Sequence, residues 1–167
     1  DMPTITLNKE DVISLIGKKI SDDVLRESIP MLGTDLSSVD GNNIIVEVFP
    51  NRPDMLSEEG FARALGSFLG IKTGLRNYKV NRSEYKFRVE KKVRSVRPYV
   101  AAAVIKDIEI NDNVINSLMQ LQEKLHVTFG RNRRKVAMGV HVLDKIRFPL
   151  TYTTKQKDYS FVPLGYS

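Results

Sequence analysis

Between Val48 and Gly70 the chain has little conformational choice. It reads Val48-Phe49-Pro50-Asn51-Arg52-Pro53-Asp54-Met55-Leu56-Ser57, continues from Glu58 to Leu69 with apolar residues at Phe61, Leu65, Phe68 and Leu69, and stops at Gly70. Pro50 and Pro53 fix their own φ and push Phe49 and Arg52 toward extended backbone, so Asn51 and Arg52 are held in a stiff loop. Ser57 is placed to accept from the unpaired N–H groups of a first helical turn. Glu58 and Glu59 set negative charge at the positive end of the helix dipole, and Gly70 supplies a left-handed C-terminal cap. The expectation is a strand, a rigid polar turn and a capped helix. Spacing alone also admits a plain strand-to-helix connection with no further role.

The residues before this stretch form a small unit around it. After an extended Thr4-Ile5-Thr6-Leu7, Asn8 caps a predicted helix over Lys9 to Ile16 that Gly17 ends. Ser21, Asp22 and Asp23 open a second helix, which Pro30 is expected to stop. Leu36 to Val39 and Ile44 to Phe49 flank Asp40-Gly41-Asn42-Asn43, residue types that suit a hairpin turn. The fold class expected is α+β, beginning with a small helix-rich, winged-helix-like module over residues 1–75. A DNA-binding role would want a basic recognition helix, and none is evident.

Periodicity is lost between Gly70 and Ser83, and a second module is expected over residues 76–167. Tyr85, Phe87 and Val89 alternate with charged residues as in a half-wet strand, and Tyr99 to Ile110 reads as a second, more apolar one. Asn111 or Asp112 caps a helix carrying Val114, Ile115, Leu118, Leu121 and Leu125, expected to cover one face of that sheet. Val136 to Val142, Phe148 to Thr153 and Tyr159 to Leu164 read as further strands. The sheet is expected to be incomplete at Ser167, as in the N-terminal part of a longer chain.

Composition narrows the chemistry. With no cysteine there is no disulfide, no thiolate nucleophile and no cysteine-ligated zinc, and His126 and His141 are the two imidazoles, so a metal site built by this chain is not expected. No apolar run approaches the ~20 residues that span a bilayer, which suggests a cytoplasmic protein without a membrane partner. The net charge of +6 comes from lysine and arginine concentrated beyond Lys72, either facing an anionic partner or forming a solvated surface. The densest basic run, Gly130-Arg131-Asn132-Arg133-Arg134-Lys135, reads equally as a solvated turn or as a phosphate contact. His141, at the end of an apparent strand, either serves a pocket, positioning water or binding a ribose hydroxyl, or is satisfied by nearby backbone. His126 is expected to complement the C-terminal end of its helix. There is no Gly-rich phosphate loop, no Ser-His-Asp context and no paired-carboxylate motif.

Asn51, Arg52, Pro53, Asp54, Leu56 and Ser57, followed by Glu59, Gly60, Ala62 and Arg63, resemble the signature near the end of the first module of the phenylalanyl-tRNA synthetase β subunit. The likeness to its archaeal and eukaryotic form runs from Met2-Pro3-Thr4 to Phe161-Val162-Pro163-Leu164. Leu121 to His126, Gly139 and His141 to Ile146 look like the start of the editing domain, which in that family hydrolyses tyrosine wrongly attached to phenylalanine tRNA. The resemblance makes His141, Asp144 and Asn132 editing-site candidates and Arg131, Arg133, Arg134 and Lys135 candidates for tRNA binding. It makes Asn51, Arg52, Pro53, Asp54, Ser57, Gly60 and Arg63 a structural signature. Family members usually carry His-Asp-Leu-Asp where this chain has His141-Val142-Leu143-Asp144, so a carboxylate directly beside His141 is missing. The family further implies an α2β2 enzyme that uses ATP and magnesium, with the synthetic chemistry on the α subunit and neither cofactor bound by these residues. Against the editing reading stand a non-catalytic RNA-binding or assembly module and a stand-alone hydrolase acting on free aminoacyl-tRNA.

Overall fold

The fold is α+β. A computed structural model describes residues 2–163 and Tyr166, so Leu164 of the last expected strand lies outside the described residues. The chain packs as two compact units, each assembled from two separate stretches. The first takes residues 1–77 and 109–139, and the second takes 78–108 and 140–167. A single continuous boundary near residue 75 had been expected.

The first unit is built on a three-stranded antiparallel sheet of β1 (Thr4–Asn8), β2 (Thr34–Asp40) and β3 (Asn43–Val48), with β3 in the centre. Ile5 pairs with Val46 and Leu7 with Ile44, which puts four buried aliphatics on one face. Gly41, at φ +54°, makes the tight turn between β2 and β3. Helix α1 (Lys9–Ile16) starts where the Asn8 side chain accepts from the Asp11 N–H, and ends at left-handed Gly17. Helix α2 (Asp22–Met31) is capped by Ser21 and runs through Pro30 to Met31, one residue past the stop expected there. Pro30 sits in the last turn, where its missing N–H leaves only the Arg26 carbonyl without a helical donor and no further turn needs to form.

Helix α3 (Glu58–Phe68) seals the core with Phe61, Ala62 and Leu65. Ser57 accepts from the Gly60 N–H at 3.2 Å. Past the helix end, Gly70 at φ +69° and the bonds Gly70 N–H to Ser67 C=O and Ile71 N–H to Gly66 C=O form a Schellman motif. Helix α4 (Asp112–Val127), capped by Asn111, belongs to this unit. It lays Leu121 and Leu125 against the core formed by α1, α3 and the sheet, and the Ser117 hydroxyl donates to the Glu58 carboxylate at 3.0 Å. The expectation that this helix covers a sheet of the second module is therefore corrected: its apolar side is taken by the first unit.

In the second unit β4 (Phe87–Val89) and β5 (Leu150–Tyr152) form a three-residue parallel pair. Val93 is buried, the Tyr85 and Phe148 ring centroids lie 4.6 Å apart, and the Tyr152 hydroxyl donates to the Arg97 carbonyl. Residues 99–110, 136–142 and 159–163, read as strands, adopt no regular structure. An apolar run becomes a strand only where a neighbouring backbone completes its ladder. Among the described residues of this unit that neighbour exists for β4 and β5 alone, and Tyr99, Ile105 and Val142 stay exposed.

Candidate functional site

The signature turn is held from within. Arg52 Nε and Nη2 donate to the two Asp54 oxygens at 3.0 and 2.9 Å. Met55 and Leu56 are buried beneath the turn, Asn51 is exposed above it, and Arg63 is exposed on α3. Pro53 opens a single 3-10 turn that brings the Asp54 carbonyl over Gly60. The Arg52 guanidinium, chiefly by hydrogen bonding, holds the Asp54 carboxyl below its usual range and is itself raised in return. A depressed carboxylate contributes stability that is full above its unfolded value near pH 4 and is lost as pH falls through the folded value. Both side chains are more than a third exposed, so the pair contributes at most about 1 kcal/mol. Asp54→Asn is accordingly expected to lower the unfolding midpoint slightly at pH 7, and the gap to wild type should close below about pH 4. A gap unchanged at pH 2.5 would assign the loss to something other than this ion pair.

The basic run 130–135 has a more unusual structure. Gly130 is buried after the end of α4, its N–H donating to the Leu125 carbonyl at 2.7 Å. Arg131, Asn132 and Arg133 then follow at φ +50°, +53° and +64°. Three successive non-glycine residues in the left-handed region cost on the order of 1 kcal/mol each, and only asparagine tolerates it readily. The surrounding bonds hold them there. The Arg133 N–H donates to the His126 carbonyl at 3.1 Å and the Lys135 N–H to the Gly130 carbonyl at 2.8 Å. The Lys135 ammonium lies 4.6 Å from the centre of the Phe129 ring. The result is an exposed turn that presents Arg131, Asn132, Arg133, Arg134 and Lys135 on a fixed backbone.

His126 anchors that turn. The residue is 3% exposed, and Nε2 accepts the Met138 N–H at 2.7 Å. An imidazole that accepts at Nε2 carries its proton on Nδ1 and is neutral. The sequence had placed a cation here to complement the end of α4; the ring instead ties residue 138 back to the helix. Among the described residues its buried Nδ1 has no hydrogen-bond partner, the Glu123 carboxylate standing 3.9 Å away and pairing with Arg133. Sequence reading gave neither Glu123 nor Gly130 a role of its own. The only trace of this arrangement is a Glu and a His three apart in a last helical turn, followed by a glycine, which is too common a pattern to point to it.

The editing candidates are distributed over both units. His141 and Asp144 lie in the second, both exposed, with Asp144 in a single 3-10 turn at Leu143–Lys145. Asn132 lies in the first. No hydrogen bond found among the described residues joins His141 to Asp144, and His141 follows an irregular segment, not the strand expected to aim it into a pocket. The hollows among the described residues include one of about 790 Å³ in the second unit, lined by Lys92, Thr154, Lys155 and Lys157 among others, and one of about 250 Å³ in the first, lined by Arg63, Ser67, Lys72 and Arg76 among others. Neither is lined by His141 or Asp144. Among the described residues no three His, Asp or Glu side chains converge as ion ligands. No described helix is long and apolar enough to cross a membrane.

A phenylalanine–tRNA ligase β subunit of Archaeoglobus fulgidus is 47% identical over 99% of this chain. The chain belongs to the phenylalanine–tRNA ligase β-subunit family. The corresponding subunit of Methanocorpusculum labreanum is 45% identical over the same share. An N-terminal fragment of the phenylalanyl-tRNA synthetase β subunit from Pyrococcus horikoshii superposes with a TM-score of 0.87 at 34% identity, over 98% of this chain and 49% of that one. The α+β architecture is thus that of a solved β-subunit fragment. The chain spans about 30% of the length of these β-subunit relatives. A scan against protein-family models finds no match.

Proposed function

We propose that this chain is the part of a cytoplasmic phenylalanine–tRNA ligase β subunit that grips phenylalanine tRNA and contributes to hydrolytic removal of tyrosine mischarged onto it. The observation that carries the reading is the basic turn 131–135, whose left-handed backbone is held by Gly130 and His126. A positively charged segment fixed against its own conformational preference is suited to meeting a phosphodiester backbone without an ordering cost. The β subunit would work with an α subunit in an α2β2 assembly, where ATP and magnesium serve aminoacylation on the α side. The second unit would begin the editing module.

A second site has an energetic motive. Tyrosine differs from phenylalanine by one hydroxyl, which an apolar activation pocket rejects only about a hundredfold. In the editing step water attacks the ester carbonyl, the bond to the ribose oxygen breaks, and that oxygen takes a proton. His141, which is exposed, is the group proposed to order the water. The alternative is a non-catalytic RNA-binding or assembly module, and the absence, among the described residues, of a hydrogen bond joining His141 to Asp144 favours it.

The test is deacylation of tyrosylated phenylalanine tRNA by the assembled enzyme, wild type against His141→Ala, with phenylalanylation as the control. We expect deacylation to fall by about two orders of magnitude, the usual worth of a general base, while phenylalanylation persists. Equal deacylation by the two enzymes would leave the binding role alone.

A further inference from the structure

The charge of Arg133 is engaged by a carboxylate: its guanidinium pairs with Glu123 on α4, and its backbone N–H is bonded to the His126 carbonyl. The same carboxylate oxygen stands 3.9 Å from His126 Nδ1, too far for a hydrogen bond. That nitrogen carries a proton, is buried, and has no acceptor among the described residues. Buried donors are nearly always satisfied, so one left unpaired beside a carboxylate marks a place where a second arrangement is available. Glu123 is half exposed and on a flexible three-torsion side chain, and the movement it needs to reach Nδ1 is about 1 Å, the difference between 3.9 Å and an ordinary hydrogen-bond length.

We infer that Glu123 is a transferable counter-ion that restrains Arg133 in the free protein and passes to the Nδ1–H of His126 when an RNA phosphate takes the guanidinium. This rests on the reading of residues 131–135 as the tRNA contact. In the free state the ion pair lowers the positive charge the turn offers, which weakens contact with polyanions that cannot engage the guanidinium squarely. A phosphodiester placed to accept from Arg133 displaces the carboxylate. The carboxylate then finds a waiting donor, so neither it nor the imidazole is left unpaired in the bound state. The ring stays neutral throughout, because Nε2 continues to accept from Met138. No proton moves and no bond other than hydrogen bonds is made or broken.

The experiment uses the whole 167-residue chain and a phenylalanine tRNA transcript. Binding is measured for wild type, Glu123→Gln, Arg133→Ala and the double variant, with Arg131→Ala and Lys135→Ala alongside. We expect Glu123→Gln to bind tRNA about three- to tenfold more tightly, in the range of a partly exposed ion pair. In the Arg133→Ala background the same change should have no effect. In wild type the His126 Nδ1 proton should shift downfield in the NMR spectrum when tRNA is added, and in Glu123→Gln it should shift much less. Equal tightening in both backgrounds would mean that Glu123 acts only as general negative charge, and would overturn the inference, as would an Nδ1 proton unmoved by tRNA. Weakening by Arg131→Ala and Lys135→Ala without any gain from Glu123→Gln would remove the counter-ion role and keep the tRNA contact. Insensitivity to Arg131 and Lys135 would remove both.

Discussion

Gly60→Ala is expected to abolish the folded state of the first unit. A Cβ at Gly60 would lie 1.8 Å from the Asp54 carbonyl oxygen and 3.0 Å from its carbon, and both are backbone atoms. The turn cannot back away, because Pro53 fixes its entry and Met55 and Leu56 are buried under it. Nor can α3 move freely, since Phe61 and Leu65 on its next turns fill the core. The loss should exceed about 4 kcal/mol, which is comparable to the whole stability of many domains. Urea denaturation followed by circular dichroism measures it. Gly66→Ala on the same helix is the control: its Cβ would meet Ile16 side-chain carbons at 3.6 and 3.7 Å, an ordinary contact, and alanine gains up to about 1 kcal/mol of helix propensity there. A Gly60→Ala protein that melts within a few degrees of wild type would show that the turn is free to shift.

Gly130→Ala should remove the basic turn and spare the sheet. Its Cβ would stand 2.6 Å from the Val136 carbonyl oxygen, 2.8 Å from that of His126 and 3.0 Å from that of Leu125. All three belong to backbone on either side of the turn, so residues 131–137 must lift off the end of α4. The expected cost is about 2–3 kcal/mol by overpacking, confined to this end of the helix. With the turn displaced, the Met138 N–H leaves His126 and the three left-handed residues relax. Affinity for phenylalanine tRNA is expected to fall at least about tenfold, as for losing two phosphate contacts at moderate salt. Hydrogen exchange separates the effects: protection should vanish at Met138 and persist in β1 and β3. Retained protection at Met138 together with unchanged affinity would refute the anchoring role of Gly130.

The parts of the fold that were legible in the sequence are those where one residue carries its own instruction. Asn8, Ser21, Ser57 and Asn111 cap the helices expected of them, and Gly17 and Gly70 end theirs in left-handed backbone. Pro30 misled by a single residue, because a proline forbids the bond behind it and not the turn it already occupies. The failures are those of partnership. Tyr99 to Ile110 has the composition of a buried strand, and composition cannot say whether a neighbouring strand is present. The apolar side of α4 was read correctly, and its partner was not. At the candidate site the sequence identified the charges of residues 131–135 without the geometry, since Arg131 and Arg133 are residues one would not place at positive φ. The role of His126 as acceptor was invisible, because a histidine in a last helical turn ordinarily reads as a cation.

The interleaving of the two units sets an order on the making of the protein. The core of the first unit receives Leu121 and Leu125 from α4, and the Ser117 bond to Glu58 spans 59 residues. The pairing of β4 with β5 likewise joins residues more than sixty apart, Phe87 with Leu150. On a ribosome adding about 5–20 residues per second, residues 1–77 emerge several seconds before the helix that covers them. During that interval an apolar patch of the first unit faces water, and residues 78–108 are extruded with no partner strand yet made. Each unit thus waits on a segment synthesised after part of the other, so cleavage or arrest between residues 78 and 108 strands both at once.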